Sequence, residues 1–593
     1  MKKILFIAST ILILLSGCEN FLDSELLTEK TTANFPETEK DAQEMVTAIY
    51  AHLLFESPET SSQYYIAQLA GDDCLGGNLS YSNNCATNFL MYSGNLNTFA
   101  GIWDRCYTLI NRANNAINTM ENVKSWSSES ERNRLFGESY FLRAMAYYEL
   151  AQVFGGVPLR TTLESTNLPR ASVDEIYAQI AADLKNAIEM MPAKIYPKGS
   201  DMTGHATKYA AEAMMARVFL FYTGRYEKNE LPNGTTKEEV ISWIDDCVNN
   251  SGHKLVSDQR NIWAYTNDAT EDNTEGFRYQ YVINHNLKWE GNSSDETLFA
   301  NKHNLKSDWT FSNTCAQFYS PSADNYSNKD SYPFGTGWGA GPVSPAMVNE
   351  WKDWAAKQTY TDGYKEDPRL TGSIWSYKAL DPNVAGNVLM DCTMDEGEPE
   401  YTVSYRYYEQ TGYFQKKYIN INSYNEGKIE PFGKQMFPGI SSQTSQQLLQ
   451  IADLIHIRFA DVLLMQSELK QDATGLNKVR ARSHLAPVAY SLEAIKQERR
   501  WELAFESIRW WDILRWSGPS LEEAGDILNK QTGFNIINAA TVVPMVKFDY
   551  KKRLQATQGY WPIPQDEIDI SNGVLEQNPG WDASAQFSDW NNM

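Results

Sequence analysis

Polar loops that carry aromatic side chains are the features of this sequence best suited to binding chemistry. Residues 71–84, GDDCLGGNLSYSNN, combine two adjacent carboxylates with amides and a phenol, between two predicted helices. A flat aromatic ring can stack on the apolar face of a sugar, while carboxylates and amides orient the hydroxyl groups. On this chemistry the candidate ligand-binding residues are Asn78, Tyr81 and Asn83 in that loop, and Trp289, Trp309 and Trp338 in a later loop-rich region.

Each of these candidates has a structural alternative. An isolated Trp in a long loop more often packs in a satellite core than binds a ligand, and a carboxylate at the start of a loop often caps backbone N–H groups. We expect at least one of the three candidate tryptophans to stack on ligand. Trp351, Trp354 and Trp375 lie on a predicted helix or close to Asp367-Pro-Arg-Leu, so we expect them to pack.

The sequence lacks the catalytic and cofactor motifs that a single chain can reveal. It contains no HExxH, GxSxG, P-loop or dinucleotide fingerprint, and its 7 His residues are scattered. Glycoside hydrolysis requires only two suitably spaced carboxylates, so a chain with 75 acidic residues leaves it open. We predict a protein that is not an enzyme and has no cofactor.

Metal and disulfide sites are weakly indicated. The 7 Cys residues form no CxxC and no pair with zinc-ligand spacing. Cys74 and Cys85 could close a short loop in an oxidising compartment. The acidic runs Asp268–Glu275 and Asp391–Glu400 could supply oxygen ligands to a structural calcium ion, but neither matches the EF-hand loop. Solvated acidic loops are the favoured interpretation.

The N-terminus carries a secretion and lipidation pattern. Two Lys precede the apolar stretch Ile4–Leu15, which is shorter than the roughly twenty residues that a transmembrane helix needs. Ser16 and Gly17 then place small residues before Cys18, as in the bacterial lipoprotein cleavage box. We predict a signal peptide over 1–17 and acyl chains on Cys18 that hold the mature protein on a membrane.

Composition and periodicity predict a folded, mainly α protein. The 593 residues are 42% hydrophobic with a formal net charge of -23, which excludes a disordered chain and argues against nucleic-acid binding. Helical periodicity dominates the first half, as antiparallel pairs of tetratricopeptide-like size, and it returns at 446–469 and 492–516. The predicted regions are a lipidated tether (18–40), a helical region (41–255), a loop-rich ligand-recognition insertion (256–445) and a C-terminal region that packs on the helices (446–593).

Local patterns make three sharper predictions. Ser172-x-x-Glu175 is a capping box at the start of a helix. A short strand is expected at Tyr279–Ile283. The stretch 492–516 has apolar residues at helical spacing, so we expect one buried helix. Its charges are expected to pair internally, as Glu506 with Arg509 and Asp512 with Arg515.

Five segments with distinctive sequences occur along the chain between Cys18 and Trp581. They are Cys18-Glu-Asn-Phe-Leu-Asp23; Gly137-Glu-Ser-Tyr-Phe-Leu-Arg-Ala144 with Phe154-Gly-Gly-Val-Pro-Leu159; Ile457-Arg-Phe-Ala-Asp-Val-Leu-Leu464; Glu498-Arg-Arg-Trp-Glu-Leu-Ala-Phe-Glu506 with Arg509-Trp-Trp-Asp-Ile-Leu-Arg-Trp516; and Trp561-Pro-Ile-Pro564 with Gln577-Asn-Pro-Gly-Trp581. In content and order they resemble the SusD/RagB family of Bacteroidetes outer-membrane lipoproteins.

The resemblance implies a fold, a function and two further site residues. The fold would be about four tetratricopeptide-like helix pairs in an α–α superhelical scaffold, with a loop-rich second half. Family members sit on the cell surface, bind nutrient, most often an oligosaccharide, and close as a lid over a SusC-like TonB-dependent transporter; they are not enzymes. The family loop that matches 71–84 contributes its acidic pair to the ligand face, which adds Asp72 and Asp73. A RagB-like peptide-binding lid, a surface adaptor without small ligand and, least favoured, a glycoside hydrolase are the alternatives.

Overall fold

The structure is a computed structural model of the chain. It describes residues 35–53, 63–76, 96–164, 166–194, 204–267, 279–292, 294–304, 312–320, 333–376, 411–425, 428–431, 433–434, 449–530, 535–538, 541–544 and 549–581. In these ranges the helices are α1 (Glu39–Leu53), α2 (Gln63–Ala70), α3 (Ala100–Thr119), α4 (Glu129–Phe154), α5 (Val173–Met190), α6 (Lys208–Tyr226), α7 (Lys237–Asn250), α8 (Gln280–Asn284), α9 (Thr314–Tyr319), α10 (Pro345–Ala355), α11 (Pro368–Ser373), α12 (Phe459–Lys470), α13 (Thr474–Arg482), α14 (Leu492–Glu502), α15 (Arg509–Ser517), α16 (Glu522–Leu528), α17 (Tyr550–Ala556) and α18 (Gln565–Ile570).

Strands are short and form two-stranded antiparallel sheets within the described ranges. The pairs are β1 (Thr297–Asn301) with β6 (Leu454–Arg458), β2 (Ile374–Ser376) with β3 (Tyr413–Gln415), β4 (Asn422–Asn425) with β5 (Lys428–Pro431), and β7 (Asn535–Asn538) with β8 (Thr541–Pro544). The fold is therefore mainly α, as predicted.

Four helix pairs form the scaffold of the described chain. The pairs are α1 with α3, α4 with α5, α6 with α7, and α12 with α13. Each pair packs on the next, through α3 on α4, α5 on α6 and α7 on α12. The predicted helix-pair scaffold is confirmed, and its fourth pair comes from the C-terminal part of the chain, beyond the loop-rich insertion.

Capping side chains fix where the scaffold helices begin. The Ser172 hydroxyl accepts a hydrogen bond from the Glu175 N–H (3.2 Å), and the Glu175 carboxylate accepts one from the Ser172 N–H (2.8 Å). This confirms the predicted capping box, in which two otherwise unpaired N–H groups at a helix start are satisfied. Thr236 and Glu239 repeat the arrangement at the start of α7.

Two predicted elements are of the wrong type. Tyr279–Ile283 was expected to be a strand, but α8 occupies this stretch. In the stretch 446–469, which has a helical pattern, residues 454–458 form β6, where Ile455 pairs with Ala300 of β1, and α12 starts only at Phe459. A short apolar run fits a buried helix or a buried strand equally well, so the pairing partner decides between them.

The stretch 492–516 is two helices rather than one. Between α14 and α15 the backbone of Phe505 and Ser507 is left-handed, with φ of 64° and 58°. A left-handed residue cannot continue a right-handed α-helix, so the chain turns at this point. Arg499 of α14 still reaches Asp512 of α15, where its Nε donates to the carboxylate at 2.7 Å.

Buried apolar residues form two clusters. One runs through the helix pairs and includes Trp510 and Trp561, and the other underlies the loop-rich half. Trp351 and Trp375 belong to the second cluster and are 0% exposed. Trp354 is half-buried, with its ring centroid 5.9 Å from that of Trp501. The packing expected for these three tryptophans is confirmed.

The C-terminal segments that contain Trp561 and Asn578 meet at the end of α4. The Trp561 N–H donates to the Val153 carbonyl (2.9 Å), at the end of α4. The Asn578 side-chain amide donates to the carbonyls of Phe154 (3.0 Å) and Trp561 (2.7 Å). Both turns therefore serve to close the C-terminal segment onto α4, a structural role.

The predicted leader and anchor lie outside the described residues, which begin at Phe35. Signal peptide, Cys18 lipidation and tether therefore stay predictions. Within the described ranges, no helix combines the length and the apolar character that crossing a membrane requires.

Candidate ligand-binding surface

A glycine-rich loop holds Trp338 at the surface of the loop-rich half. The Trp338 N–H donates to the Gln317 carbonyl at the end of α9 (2.8 Å), and a Cβ on Gly337 would lie 2.1 Å from that same oxygen. Gly339 has a φ of 72°, which disfavours other residues. The indole is half-buried and packs on Phe318, with ring centroids 4.9 Å apart. The Gly-x-Gly-Trp-Gly spacing in the sequence indicates a backbone that can approach α9 closely and hold Trp338 in this position.

The 71–76 segment, which contains Asp72 and Asp73, lies against the Trp338 loop. The Leu75 N–H donates to the Pro342 carbonyl (2.9 Å), and the Gly341 N–H donates to the Gly76 carbonyl (3.2 Å). Two parts of the predicted site that are far apart in sequence are therefore side by side. Asn78, Tyr81 and Asn83 follow Gly76 in the chain but lie outside the described residues, as does Trp309.

Trp289 is placed on a different segment of the loop-rich half. Its indole N–H donates to the Ile262 carbonyl (3.2 Å), and its backbone N–H donates to the Thr266 carbonyl (3.0 Å). The side chain is half-buried and packs against the second apolar cluster. These bonds tie Trp289 to the 262–266 segment rather than to the Trp338 loop.

The acidic pair is inside the fold. Asp72 and Asp73 are only 6% and 2% exposed. Asp72 accepts two hydrogen bonds from Arg509, from Nε (2.7 Å) and Nη2 (3.0 Å), and Arg500 Nη2 lies 2.8 Å from the same carboxylate. Asp73 accepts a longer bond from Arg500 (3.3 Å). In this structure the pair links the 71–76 segment to α14 and α15, and its contribution to a ligand face stays a prediction.

The surroundings shift the pKa values of the two neighbouring carboxyls in opposite directions. Burial alone would raise the pKa of Asp72, but the charges of Arg500 and Arg509 more than offset it and hold that pKa well below its ordinary value. Burial is the main cause that raises the pKa of Asp73 to about 6, and the neighbouring Asp72 charge adds to it. The Asp73 Oδ2 atom is buried and has no hydrogen-bond partner within the described structure.

A buried ion network surrounds Glu502 at the end of α14. Glu502 accepts hydrogen bonds from Arg458 Nη1 (2.7 Å), from Arg369 Nη1 (3.1 Å) and from Arg482. Glu502 is 0% exposed, and Arg369 and Arg458 are 1% exposed each. Because Arg369 lies in the loop-rich half and Arg458 precedes α12, the network joins the recognition half to the scaffold.

Charge pairing within 492–516 is only partly as predicted. Asp512 accepts from Arg515 Nε at 2.7 Å, so that pair is confirmed. The Glu506–Arg509 pair is wrong, since Glu506 accepts instead from Arg458 (2.6 Å) and Lys417 (2.7 Å). The left-handed turn between α14 and α15 separates Glu506 from Arg509 and frees Arg509 to pair with the 71–76 segment.

The described residues include only part of the predicted metal and disulfide sites. Both acidic runs proposed for calcium lie outside them, as does Cys85. The Cys74 thiol is buried and accepts a hydrogen bond from the Gln68 side-chain amide (3.1 Å). Within the described ranges no group of three or more His, Cys, Asp or Glu is arranged to hold a metal ion.

Comparison with known proteins establishes which family shares this helix-pair scaffold. The profile described as "SusD family" matches residues 259–581, and a second, described as "Starch-binding associating with outer membrane", matches residues 20–220. The chain belongs to the SusD family.

Relatives and solved structures agree with this assignment along most of the chain. SusD-like protein P38 of Formosa agariphila is 24% identical over 576 residues, which cover 89% of this chain and 94% of the relative. A SusD-like protein of Bacteroides ovatus is 23% identical over 533 residues, covering 87% and 82%. The structure of surface glycan-binding protein A from Bacteroides fluxus matches with a TM-score of 0.66 at 22% identity, covering 92% of this chain and 100% of that one. The predicted SusD-like fold is therefore confirmed.

Proposed function

We propose that this protein is a cell-surface lipoprotein that binds a nutrient glycan and delivers it to a SusC-like TonB-dependent transporter, for which it acts as a lid. Membership of the SusD family supports this role. One structure of the same fold is named a laminarin binding SusD-like protein, with a TM-score of 0.64 and 21% identity over 92% of this chain and 100% of that one. Another is surface glycan-binding protein A from Bacteroides thetaiotaomicron in complex with laminarihexaose, with a TM-score of 0.63 and 19% identity over 91% and 99%.

The contacts that hold Trp338 at the surface are the main structural support for the proposed glycan binding. Main-chain hydrogen bonds hold its loop on α9, and the indole packs on Phe318, so backbone and ring both have fixed contacts before any ligand arrives. A pre-ordered aromatic surface avoids the entropy cost of immobilising a side chain on binding. The 71–76 segment beside it leads directly into the polar loop with Asn78, Tyr81 and Asn83. We propose that Trp338 stacks on a sugar ring and that this loop supplies polar contacts.

Location at the outer surface of the cell is supported by sequence. The family profile that covers 20–220 is described as associating with the outer membrane. The lipoprotein box at Cys18 supplies an anchor, and the acidic chain that follows is suited to remain in water outside the bilayer. Neither the family nor the sequence motifs point to catalysis, so we propose binding without turnover.

Calorimetry of the purified mature domain with a panel of oligosaccharides, laminarihexaose included, tests the glycan role. A lid must also release its cargo, so we expect affinities from about millimolar to micromolar, or roughly -4 to -8 kcal/mol. Trp338→Ala should weaken binding by about tenfold or more, because it removes a large apolar contact. Trp243→Ala is the matched control, since Trp243 is also half-buried but lies on α7 of the scaffold.

Other outcomes of that experiment separate the alternatives. Binding of peptides and of no glycan would favour a peptide-binding lid, and hydrolysis products in the glycan mixture would identify an enzyme. Stable capture of a barrel partner without any small ligand would favour an adaptor. Equal weakening by Trp338→Ala and Trp243→Ala would refute the proposed site. Trp289→Ala, measured in the same series, reports whether the 262–266 segment also contributes.

A further inference from the structure

Two aromatic rings lie face to face at the surface where the loop-rich half meets the end of α13. The ring centroids of Tyr364 and His484 are 3.7 Å apart, and the ring planes differ by only 6°. Tyr364 is 37% exposed and belongs to neither of the two buried apolar clusters. In a parallel stack each ring covers only one face of its neighbour, so the other face of Tyr364 is the part that meets water.

A tight turn holds Tyr364 in this position. The Tyr364 N–H donates to the Thr361 carbonyl (3.1 Å), and the two residues between them, Asp362 and Gly363, have φ of 55° and 80°. Positive φ at both central positions is characteristic of a type I′ turn, which favours the sequence Asp-Gly. The backbone therefore fixes the point at which the Tyr364 side chain leaves the chain.

His484 occupies a position that normally favours glycine. It follows α13 with a φ of 57°. Its N–H donates to the Ala481 carbonyl and the Leu485 N–H donates to the Arg480 carbonyl, both at 3.0 Å. These bonds form a Schellman motif, in which the left-handed residue after the helix is usually Gly. A side chain there costs free energy, and a conformation of this kind points to a function for the residue.

Hydrogen-bond acceptors border the exposed ring. The His484 Nδ1 atom lies 3.0 Å from Asp362 Oδ2, and because a carboxylate only accepts, Nδ1 carries the hydrogen. When the imidazole is neutral, its Nε2 is then an acceptor. The hydrogen bonds from His484 and Thr361 hold the pKa of Asp362 below its ordinary value. The Asp362 side chain is 68% exposed, so it offers a charged acceptor to hydroxyl groups.

Charges around the stack are balanced. In the stretch 351–366 the exposed charged residues are three Lys and three acids, namely Lys352, Lys357, Lys365, Asp353, Asp362 and Glu366. A cation bound on an aromatic ring would gain most from surrounding negative charge, and this stretch has no excess of it. A neutral sugar suits the surface better, since its C–H face can stack on the ring and its hydroxyls can donate to the bordering acceptors.

The Tyr364 turn and the Trp338 loop lie at opposite ends of α10. The loop leads into the helix, which begins at Pro345. At the other end, the Tyr360 hydroxyl donates to the Ala355 carbonyl (2.9 Å), which holds the segment before the turn on the end of the helix. A helix of 11 residues is about 16 Å long, so a glycan must extend over several sugar units to contact both segments.

We propose that Tyr364, His484 and Asp362 form a second carbohydrate subsite at this end of α10. The outer face of Tyr364 stacks on a sugar ring, and the Asp362 carboxylate accepts a hydrogen bond from one of its hydroxyls. His484 positions both groups, Tyr364 by stacking and Asp362 by donating its Nδ1 hydrogen. The inference rests on the proposed glycan binding and extends it. A polysaccharide that reaches both subsites is bound more tightly than a short oligosaccharide, because its second contact is intramolecular.

Affinity electrophoresis of the full mature protein, in gels that contain laminarin, starch, xylan or mannan, tests the second subsite. Retardation measured against polysaccharide concentration gives the Kd. Tyr364→Ala should weaken binding of the polysaccharide that retards the wild type by about tenfold, because each chain then has one contact instead of two. Trp338→Ala should leave weak binding, and the double variant with Tyr364→Ala should lose it.

Matched variants separate ring stacking from other contacts. Tyr364→Phe keeps the ring and should bind as the wild type does, whereas Tyr364→Leu keeps apolar bulk without a flat ring and should resemble Tyr364→Ala. Leu492, at the start of α14, is 44% exposed, and Leu492→Ala should leave the affinity unchanged. Asp362→Asn should weaken binding about threefold through the lost charged acceptor, since Asn tolerates the left-handed backbone of the turn.

Three results would overturn the second subsite. They are equal affinity of the wild type and Tyr364→Ala for every polysaccharide that is bound, full binding by Tyr364→Leu, and an equal loss from Leu492→Ala and Tyr364→Ala. Any of these results, with binding that depends on Trp338, would leave the proposed function standing. If none of the four polysaccharides retards the wild type, the proposed function fails for them and this inference fails with it.

Discussion

Replacing Glu502 with Gln tests whether the buried ion network stabilises the fold. The wild-type carboxylate is 0% exposed and accepts hydrogen bonds from Arg369 (3.1 Å), Arg458 (2.7 Å) and Arg482. The arginine charges outweigh the effect of burial and hold the Glu502 pKa well below its ordinary value of 4.5. Gln keeps the shape of the side chain, so the change removes mainly one buried negative charge. Arg369 keeps Glu498 as a partner, and Arg458 and Arg482 keep Glu296.

The expected loss is large because the guanidinium groups stay buried. Leaving a buried charge without any partner costs about 3–5 kcal/mol; because each arginine here keeps another carboxylate, we expect a loss of about 2–3 kcal/mol. Glu523→Gln is the matched control, because Glu523 pairs with Lys496 at 2.6 Å but its side chain is 50% exposed. An exposed pair of this kind contributes roughly 0–1 kcal/mol, so the two identical substitutions should differ by several-fold in their effect.

Equilibrium unfolding in urea, followed by fluorescence and by circular dichroism, measures both variants. The stability advantage of the wild type over the Glu502→Gln variant should be fully present above pH 4.5, the ordinary pKa of Glu502, and should shrink as the pH falls through the depressed folded-state pKa. Equal losses for Glu502→Gln and Glu523→Gln would refute the reasoning, as would a loss for Glu502→Gln that does not change with pH. Coincident transitions by both probes are required before free energies are compared.

Three further changes test the site and the anchor. Asp72→Asn should cost about 3–5 kcal/mol, whereas Asp73→Asn should stay within about 1 kcal/mol at neutral pH, because burial already disfavours the Asp73 charge. The contribution of Asp73 to stability should fall as the pH rises from 3.8 to about 6, so in urea titrations the wild type should lose stability relative to Asp73→Asn over this range. Gly337→Ala should displace the Trp338 loop and weaken glycan binding in calorimetry. Gly573→Ala strains the backbone at a φ of 83° but meets no neighbour within 4 Å and lies outside this loop, so it should leave glycan binding unchanged. Cys18→Ala should move the protein out of the membrane fraction, and a variant that stays bound would contradict the lipoprotein box.

Elements whose signals are local were predictable from the sequence. The capping box at Ser172 fixes a helix start through hydrogen bonds within a few residues. The elements that failed depend on distant partners. β6 is a strand because β1 lies beside it, and the charged residues of α14 pair with segments from elsewhere in the chain.

In the candidate site, too, features set by nearby residues were predictable and features set by distant partners were not. Packing of Trp351 and Trp375 followed from their helical and turn contexts, whereas the burial of Asp72 and Asp73 did not, because their arginine partners come from α14 and α15. A pair of adjacent carboxylates in a polar loop has the same appearance whether it faces a ligand or an arginine. Trp338 was identified by residue type, and the close approach of Gly337 to Gln317, which fixes its position, required the tertiary structure.

The pairing of Asp72 with Arg509 constrains how this protein can be made. The two residues are 437 positions apart, so the N-terminal segment receives its counterion only after most of the chain has emerged. Contacts between residues so far apart in sequence slow folding, and the N-terminal segment stays exposed until its partner has been synthesised. A chain that is exported before it folds avoids this problem, because both partners then reach the far side of the membrane unpaired. Truncation before α14 should therefore yield material that proteases degrade rather than a smaller stable domain.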